Sequence, residues 1–346
     1  MAPFEVGLTP DGLLPDGRLP YEEYGLATLE INPDIAWRVI ETEGDLTDAS
    51  DLSGLDALLL FGVKVDEVAI AGASDRLAII ARLGVGYDNV PITACTEQGV
   101  AVSITPDAIR LPMAVATMTL ALAVSQKLLF KERLVRDGRW DERRMHLGVG
   151  LCGTTFSLIG LGHVGTALVD IARPLGVRFL AFDPYVPIER VPPDVEIVPL
   201  EVVLSEADVL FVLCPLNPDT RGLINEAALG RMKSTAFLIN TARGPIVDSL
   251  ALAAAISSRR IAGAGLDVVD PEPLPADHPL LECENVVLTP HSLCWTDQCF
   301  FDMGVSACRA ILSVAEGQAP AYVVNGDVLT SKLFETKLQR RSRDEN

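Results

Sequence analysis

The stretch SLIGLGHVGTAL, residues 157–168, carries three glycines in the spacing G-x-G-x-x-G. Residues typical of a buried strand precede the glycines, and residues typical of a helix follow them. In that context Gly160 permits a tight turn, Gly162 lets the backbone approach a pyrophosphate, and Gly165 allows a helix to pack closely on a strand. The glycines alone would also suit an ordinary strand-to-helix turn, so a downstream acid is needed to choose between the two interpretations.

Asp183 is that acid. It ends the next predicted strand, in the sequence AFDPY, 18 residues after Gly165. A carboxylate at this place accepts hydrogen bonds from both hydroxyls of an adenosine ribose and repels a 2′-phosphate, which predicts NAD as the cofactor rather than NADP. The N–H groups of His163 and Val164, at the start of the predicted helix, would face the pyrophosphate. The side chain of His163 either contacts phosphate or lies in solvent beside the site.

Strand-like and helix-like segments alternate along most of the chain, which predicts βαβ units and parallel sheets. Three apolar segments come early in this alternation, at Asp56–Val63, Arg76–Gly84 and Val100–Thr105. Six strand-like segments follow between residues 156 and 291. That number is sufficient for one doubly wound parallel sheet.

A long helix is predicted over Met113–Arg136, with Pro112 in its first turn and Gly138 at its end. Its first half is apolar almost all round, so it must be buried, either in the core of the chain or in the interface of a homodimer. The highly charged residues 331–346 predict a frayed tail, with a helix packed on the surface as the alternative.

Length, charge and cysteine usage limit the class of protein. The 346 residues suggest about two domains, and the formal net charge of −19 makes nucleic acid and membrane surfaces poor partners. There is no unbroken apolar run long enough for a membrane span, no secretory signal, and no C-x-x-C pair among the seven cysteines. We therefore expect a cytoplasmic protein with reduced thiols and no metal site.

Three polar residues follow predicted strands in the second half of the chain: Arg243 in NTARGPIVD, Glu272 in GLDVVDPEPLP and His291 in LTPH. In a doubly wound sheet the carboxyl ends of the strands line the ligand crevice. A guanidinium offers a planar fork of donors to a carboxylate and a carbonyl, and a histidine gives and takes a proton. A carboxylate bonded to that histidine would fix its tautomer and favour its protonated form. The set suits hydride exchange between a nicotinamide and a small 2-keto or 2-hydroxy acid.

The segments RLGVGYDNV, SLIGLGHVG, CPLNPDTRGLI, NTARGPIVD, GLDVVDPEPLP and LTPH, in this order, resemble the D-isomer-specific 2-hydroxyacid dehydrogenase family. That family includes phosphoglycerate dehydrogenases and glyoxylate/hydroxypyruvate reductases. The resemblance covers roughly residues 55–325. It implies a Rossmann-type NAD-binding domain, residues 106–292, inserted into a flavodoxin-like α/β substrate domain, residues 1–105 and 293–346. It also implies a homodimer formed through the long helix.

The resemblance also implies roles for single residues. His291 would be the acid/base, Glu272 would tune it, and Arg243 would bind the substrate carboxylate and carbonyl. The backbone of Val85 and Gly86 would hold the substrate carboxylate. Besides the glycine loop and the ribose-binding acid, the cofactor would be lined by Cys214, Pro215, Thr220, Thr241, Ala242, Arg243, Asp267 and His291.

Some features depart from the family pattern or allow two interpretations. Asp267 would meet the nicotinamide amide, or it would only cap the end of its strand. Thr117 stands where the family often has a glutamate, and Ser157 where many members have a glycine. The sequence SLCWT follows the histidine in place of a run of small residues, so the wall near the nicotinamide would be unusual.

A second hypothesis comes from another functional class. The family has a branch of corepressor proteins that sense NAD(H) and have weak or no turnover. This alternative is not favoured here, because no partner-binding segment is evident beyond the short charged tail.

Overall fold

The computed structural model describes residues 3–14, 16–18, 25–41, 51–73 and 75–342. The chain divides into two compact units. The first unit combines Met1–Ile109 with Trp295–Asn346, and the second is the continuous segment Arg110–Cys294.

The strands form two sheets in which every pairing between neighbours is parallel. In chain order the strands are β1 (Phe4–Leu8), β2 (Ile35–Val39), β3 (Ala57–Leu60), β4 (Ile79–Arg82), β5 (Ala101–Ser103), β6 (Thr155–Ile159), β7 (Arg178–Phe182), β8 (Val195–Ile197), β9 (Val209–Val212), β10 (Phe237–Asn240), β11 (Gly263–Leu266) and β12 (Val286–Leu288).

Most of the α-helices lie in connections between strands, and the last two follow the final strand. Within the described residues they are α1 (Ala27–Glu30), α2 (Glu67–Ala73), α3 (Ile92–Glu97), α4 (Pro106–Ser125), α5 (Leu128–Arg136), α6 (His163–Ala172), α7 (Leu200–Glu206), α8 (Glu226–Leu229), α9 (Ser249–Ser257), α10 (Asp297–Ala315) and α11 (Lys332–Ser342).

The first unit has a five-stranded sheet in the order β2-β1-β3-β4-β5. This is the flavodoxin-like order, as predicted. The strands β3, β4 and β5 lie where the sequence predicted strands, whereas β1 and β2 come before the first predicted one. One core cluster of this unit packs β3, β4 and β5 against α2 and α3.

The second unit has a seven-stranded sheet in the order β12-β11-β10-β9-β6-β7-β8. The chain moves outward from β6 to β8, returns to the other side of β6 and continues to β12, which is the doubly wound Rossmann arrangement. Alternate residues of β9 enter two different core clusters, with Val209 and Phe211 in one and Leu210 and Val212 in the other. Both faces of the sheet are therefore covered. The sequence predicted six of these strands and missed the three-residue strand β8.

The long predicted helix is wrong in its bounds, because two helices occupy that region. α4 begins seven residues earlier than expected, so Pro112 lies inside it rather than in its first turn. The chain then breaks at Lys127, whose φ of 53° is left-handed, and α5 begins at the next residue. α5 ends before Gly138, as predicted. By length and composition α4 could cross a membrane, but half of its most apolar window is buried inside the protein, as in the core helices of soluble proteins.

The C-terminal segment completes the first unit. Residues 332–342 form α11 rather than a frayed tail, and Phe334 is fully buried. The ammonium of Lys337 donates to the backbone carbonyls of Leu77 and Gln98, at 2.7 Å each. The buried side chain of Asn325 bonds the backbone of β5 and its approach, accepting from the N–H of residue 102 and donating to the carbonyl of residue 100.

Candidate active site

Three neighbouring strands of the second unit end side by side. The last residues of β10, β11 and β12 are paired in register. Arg243 lies three residues after β10, Glu272 six residues after β11 and His291 three residues after β12. Parallel strands in register thus bring the three predicted catalytic residues to one edge of one sheet.

His291 and Glu272 form a direct contact. The Nδ1 atom of His291 lies 2.9 Å from Oε2 of Glu272, a distance typical of a charge-assisted hydrogen bond. The other carboxylate oxygen, Oε1, accepts the backbone N–H of Val269 at 3.1 Å. The carboxylate is thereby held from two sides, and the Nε2 atom of the imidazole is the ring nitrogen left for a reacting group.

The environment of Glu272 favours its ionised form. Partial burial raises the pKa of this carboxyl group, but the hydrogen bond and charge of His291, the N–H of Val269 and the nearby charge of Arg243 outweigh it, so the net pKa is lowered. Because this pKa is lowered, Glu272 is ionised at neutral pH and holds its hydrogen bond to His291. The carboxylate is lost only as the pH falls through the lowered pKa of Glu272. Arg243 therefore belongs to the same electrostatic site as the pair.

Asp267 holds the turn that presents His291. The Asp267 side chain is buried, and its carboxylate accepts the Thr289 hydroxyl at 2.6 Å and the N–H groups of Ser292 and Leu293 at 3.1 and 3.2 Å. Its carbonyl also accepts the N–H of His291 at 2.8 Å. His291 has a φ of 53°, a conformation that costs free energy unless its surroundings impose it. This carboxylate is what imposes it.

The Arg243 segment is fixed by the side chain of Asn240, the last residue of β10. The Asn240 amide is buried, accepts the N–H of Ala242 and donates to the carbonyl of Arg243, both at 3.0 Å. Gly244 follows, and its backbone packs directly on the next loop. A Cβ atom built there would lie 1.8 Å from the carbonyl oxygen of Val269. Glycine is therefore required where the Arg243 and Glu272 loops meet.

The glycine loop after β6 leaves open space where a pyrophosphate would bind. A Cβ at Gly160 would lie 2.7 Å from the backbone of Cys214, and one at Gly165 would lie 2.8 Å from the carbonyl of Gly160, so protein packing explains both glycines. A Cβ at Gly162 would meet nothing within 4 Å, and its φ of −80° suits any residue. Open space at the start of a helix is the room that a dinucleotide backbone needs.

The start of α6 supplies donors for that space. His163 is exposed, Val164 packs against a core cluster, and no side chain caps the first turn of the helix. Asp183 ends β7, and its carboxylate accepts the N–H of Leu161 at 2.8 Å and that of Tyr185 at 2.9 Å. Asp183 is thus rigidly placed beside the glycine loop.

The remaining residues predicted to line a cofactor also follow strand ends. Cys214 is buried just after β9, and Pro215 follows it. Thr220 ties this turn together, because its hydroxyl donates to the carbonyl of Pro215 at 2.7 Å. Thr241 and Ala242 follow β10. The structure therefore places all of these predicted positions along the carboxyl edge of the second unit's sheet.

Val85 and Gly86 lie in the first unit, three and four residues after β4. Both are half-buried. Neither of their N–H groups donates to another group in the part of the chain that the structure describes. Trp295, from the unusual segment after the histidine, is also in the first unit and packs on Phe61 and Phe300 with ring centroids 5.4 Å apart.

Sequence reasoning missed two supporting residues of the site, Asn240 and Gly244, which flank the predicted arginine. Asp267 fastens the histidine turn, and its contact with a nicotinamide amide stays a prediction. An amide at the end of an apolar strand, four residues before a Gly-Pro pair, was the available signal for Asn240 and Gly244.

Comparisons with known proteins agree with this geometry. The family profile "D-isomer specific 2-hydroxyacid dehydrogenase, NAD binding domain" matches residues 118–292. A glyoxylate reductase of Thermofilum pendens is 36% identical over 285 residues, 81% of this chain and 84% of that protein. A D-3-phosphoglycerate dehydrogenase of Archaeoglobus fulgidus is 37% identical over 263 residues, 76% of this chain and 50% of that protein.

Solved structures share the fold. A crystal structure of an NADPH-dependent glyoxylate/hydroxypyruvate reductase from Sinorhizobium meliloti, in complex with NADP and malonate, has a TM-score of 0.79 and 27% sequence identity, and it covers 94% of this chain and 97% of that chain. Fold and site together define a dinucleotide-dependent oxidoreductase. The chain belongs to the D-isomer-specific 2-hydroxyacid dehydrogenase family.

The contact between the Arg243 and Glu272 loops is open to a direct test. Gly244→Ala places a Cβ atom against the backbone of Val269, so we expect the free energy of unfolding to fall by about 3 kcal/mol. Urea unfolding followed by circular dichroism measures it. Gly150→Ala is the matched control, because a Cβ there meets nothing within 4 Å. Equal stability of the two variants would show that the loops are not in contact.

Proposed function

We propose that this protein interconverts a small 2-keto acid and its D-2-hydroxy acid with NAD as the hydride carrier. The observation that carries this proposal is the hydrogen-bonded His291–Glu272 pair beside the charge of Arg243, at the carboxyl edge of a dinucleotide-binding sheet. A bound nicotinamide would supply or accept the hydride.

Each residue of the set has a distinct role in reduction. Arg243 presents its guanidinium to the substrate carboxylate and carbonyl oxygen, which orients and polarises the carbonyl. His291 donates a proton from Nε2 to that oxygen as negative charge develops on it. Glu272 accepts a hydrogen bond from the Nδ1–H group of His291. This bond fixes the tautomer of the imidazole and stabilises the imidazolium before it gives its proton to the substrate. In oxidation the same imidazole, now neutral, takes the proton back.

The backbone at Val85 and Gly86 supports an anion-binding role. Two consecutive N–H groups with no acceptor among the described residues are available to donate to a carboxylate. Gly84, just before them, has a φ of 115°, and its N–H donates to the buried hydroxyl of Thr105 at 2.8 Å. We assign the substrate carboxylate to this pair.

We assign NAD rather than NADP to the cofactor site on the basis of Asp183. Its carboxylate is held by backbone N–H groups from two directions, so it cannot swing away from an incoming ribose. A fixed negative charge there favours ribose hydroxyls and repels a 2′-phosphate. A related reductase uses NADPH, so the two cofactors are to be compared directly.

The enzyme hypothesis is favoured over the corepressor-type alternative. The relatives that match most of this chain are named as reductases and dehydrogenases. Turnover separates the two hypotheses: a sensing protein would bind NADH tightly and oxidise it with none of the acids offered. Glyoxylate, hydroxypyruvate and 3-phosphohydroxypyruvate are the first acids to offer, in view of the names of the relatives.

A cytoplasmic location is part of the proposal. None of the seven cysteines is joined in a disulfide; Cys152 is exposed, Cys283 half-buried and the other five buried. Reduced thiols in this number suit a reducing compartment.

We also propose that the protein is a homodimer. Ten large apolar side chains between residues 111 and 149 are exposed in the single chain, a concentration that isolated surface residues do not explain. They are Leu111, Val115, Leu122, Leu128, Leu129, Val135, Trp140, Met145, Leu147 and Val149. Six of them lie on α4 and α5 and four in the segment that follows. This exposed face of α4, α5 and the following segment suits a second copy of the chain, since a two-fold interface buries the same patch on both copies.

His291→Ala removes the proposed acid/base. We expect the rate of keto acid reduction to fall by about 10²- to 10⁴-fold, because that is the usual contribution of a positioned proton donor. NADH oxidation over the acid panel measures turnover, with NADPH run in parallel, and NADH fluorescence titration should show that NADH still binds. His146→Ala, in a histidine outside the site, is the control. Full turnover in the His291 variant would refute the assignment.

Glu272→Gln keeps the size of the side chain and removes its charge. Without that charge the hydrogen bond that orients the imidazole is weakened, so kcat/KM for reduction should fall by about tenfold. The pKa of Glu272 is lowered, so in the unmodified protein the rate should fall at acid pH as this carboxylate is protonated, and that acid limb should disappear from the profile of the variant. The measurement is kcat/KM for reduction against pH. Glu282→Gln, an exposed glutamate ten residues further on, should leave the profile unchanged. A profile that does not move would remove Glu272 from the mechanism.

Leu128→Asp tests the dimer. This side chain is 56% exposed on the proposed face, and a charge there should prevent association because it would be buried without a partner. Sedimentation velocity should give twice the 37.1 kDa chain mass for the unmodified protein and the single mass for the variant. Ile188→Asp, at a 78% exposed residue elsewhere in the second unit, should remain dimeric. A monomeric unmodified protein would contradict the proposal.

A further inference from the structure

A buried pair of threonines joins α4 to the loop that carries Arg243. Thr117 is completely buried on α4, and Thr241, directly after β10, is 6% exposed. Their hydroxyl oxygens lie 2.8 Å apart, and Oγ1 of Thr117 lies 2.7 Å from the carbonyl oxygen of Met113 one turn earlier. Both distances are those of hydrogen bonds, and the site is closed to water.

The direction of these bonds follows from counting protons. A carbonyl oxygen only accepts, so the proton of the Thr117 hydroxyl goes to Met113. The bond between the two threonines must then use the proton of Thr241, which donates to Thr117. Thr241 therefore has its one proton committed and its side-chain torsion fixed, because any other rotamer leaves a buried hydroxyl unpaired.

Because the Thr241 hydroxyl is held in this hydrogen bond, the start of the arginine segment is fixed. Asn240 binds the segment from within the sheet, through the N–H of Ala242 and the carbonyl of Arg243. The threonine pair binds it from the side of the helix. The backbone before Arg243 is therefore held on two sides, by Asn240 and by the threonine pair.

We propose that Thr117 is a positioning residue that sets the place of Arg243 through Thr241. Being fully buried, Thr117 touches no substrate and acts only through the second hydroxyl. This inference rests on the proposed function, in which the guanidinium binds the substrate carboxylate and carbonyl. A misplaced guanidinium weakens substrate binding and carbonyl polarisation, while the dinucleotide loop after β6 is left as it is.

The test compares Thr117→Val, which keeps the shape of the side chain and removes the hydroxyl, with Thr117→Ser, which keeps the hydroxyl. We expect Thr117→Val to lower kcat/KM for the keto acid by about tenfold, mainly through KM. Thr117→Ser should restore most of the loss.

Thr119→Val is the matched control. Thr119 lies on the same helix, and its hydroxyl donates to the carbonyl of Val115 at 2.8 Å, but it is exposed and contacts no loop of the site. Its removal should not change KM. An equal loss in this control, or a Thr117→Ser variant as poor as the valine variant, would mean that helix packing rather than the threonine bond is responsible, and would overturn the inference.

The double variant Thr117→Val/Thr241→Val keeps the inference testable if the single variant fails to fold. It removes both hydroxyls, so neither is left buried without a partner, and it should fold even where the single variant does not. If the two residues act through one bond, its KM should equal that of Thr117→Val rather than the product of two separate losses. Multiplied losses would overturn the inference.

Failure of the inference is distinguishable from failure of the proposed function. An unmodified protein that reduces none of the acids would overturn both. An active protein whose Thr117→Val variant keeps the parental KM and kcat would overturn the inference alone.

Discussion

The site depends on the parallel register of β10, β11 and β12. Because the three strands end level with one another, the short loops that follow them start from neighbouring points about one strand spacing apart. Arg243, Glu272 and His291 are far apart in sequence and need no long excursion to meet. A shift of one residue in any of these strands would turn its side chains to the opposite face and move its loop. The hydrophobic clusters on both faces hold this register, and they therefore fix the positions of the predicted catalytic residues as well as the fold.

Each functional loop is fastened by a polar side chain, which is buried at Asp267 and Asn240 and half-buried at Asp183. Asp267 gathers the donors of the histidine turn, Asn240 holds the arginine segment, and Asp183 binds the turn beside the glycine loop. A buried carboxylate or amide is costly unless its bonds are made, so each of these groups is stable in only one arrangement of its loop. The loops obtain rigidity from the same groups that would otherwise destabilise the core. That rigidity lets His291 keep a left-handed backbone conformation.

The sequence was sufficient for the features that depend on local pattern. The glycine spacing with Asp183 predicted the dinucleotide-binding turn, and apolar strands followed by charged residues predicted the catalytic set. What could not be predicted depends on contacts distant along the chain. The strand β8 has three residues, too few to show a period, and the break at Lys127 lies inside a stretch that is favourable for helix throughout. The bond from Thr117 to the arginine loop joins residues 124 positions apart, and no local signal marks it.

The order of synthesis distinguishes the two units. The second unit is one continuous segment, so a ribosome releases it whole while the first unit still lacks its end. Until residues 295–342 emerge, β5 has no Asn325 along its backbone and the first unit lacks the buried ring of Phe334. The nascent five-stranded sheet therefore waits, with an open edge and uncovered apolar surface, until this segment is translated. Truncations within residues 295–342 therefore act on a late step in the folding of the first unit.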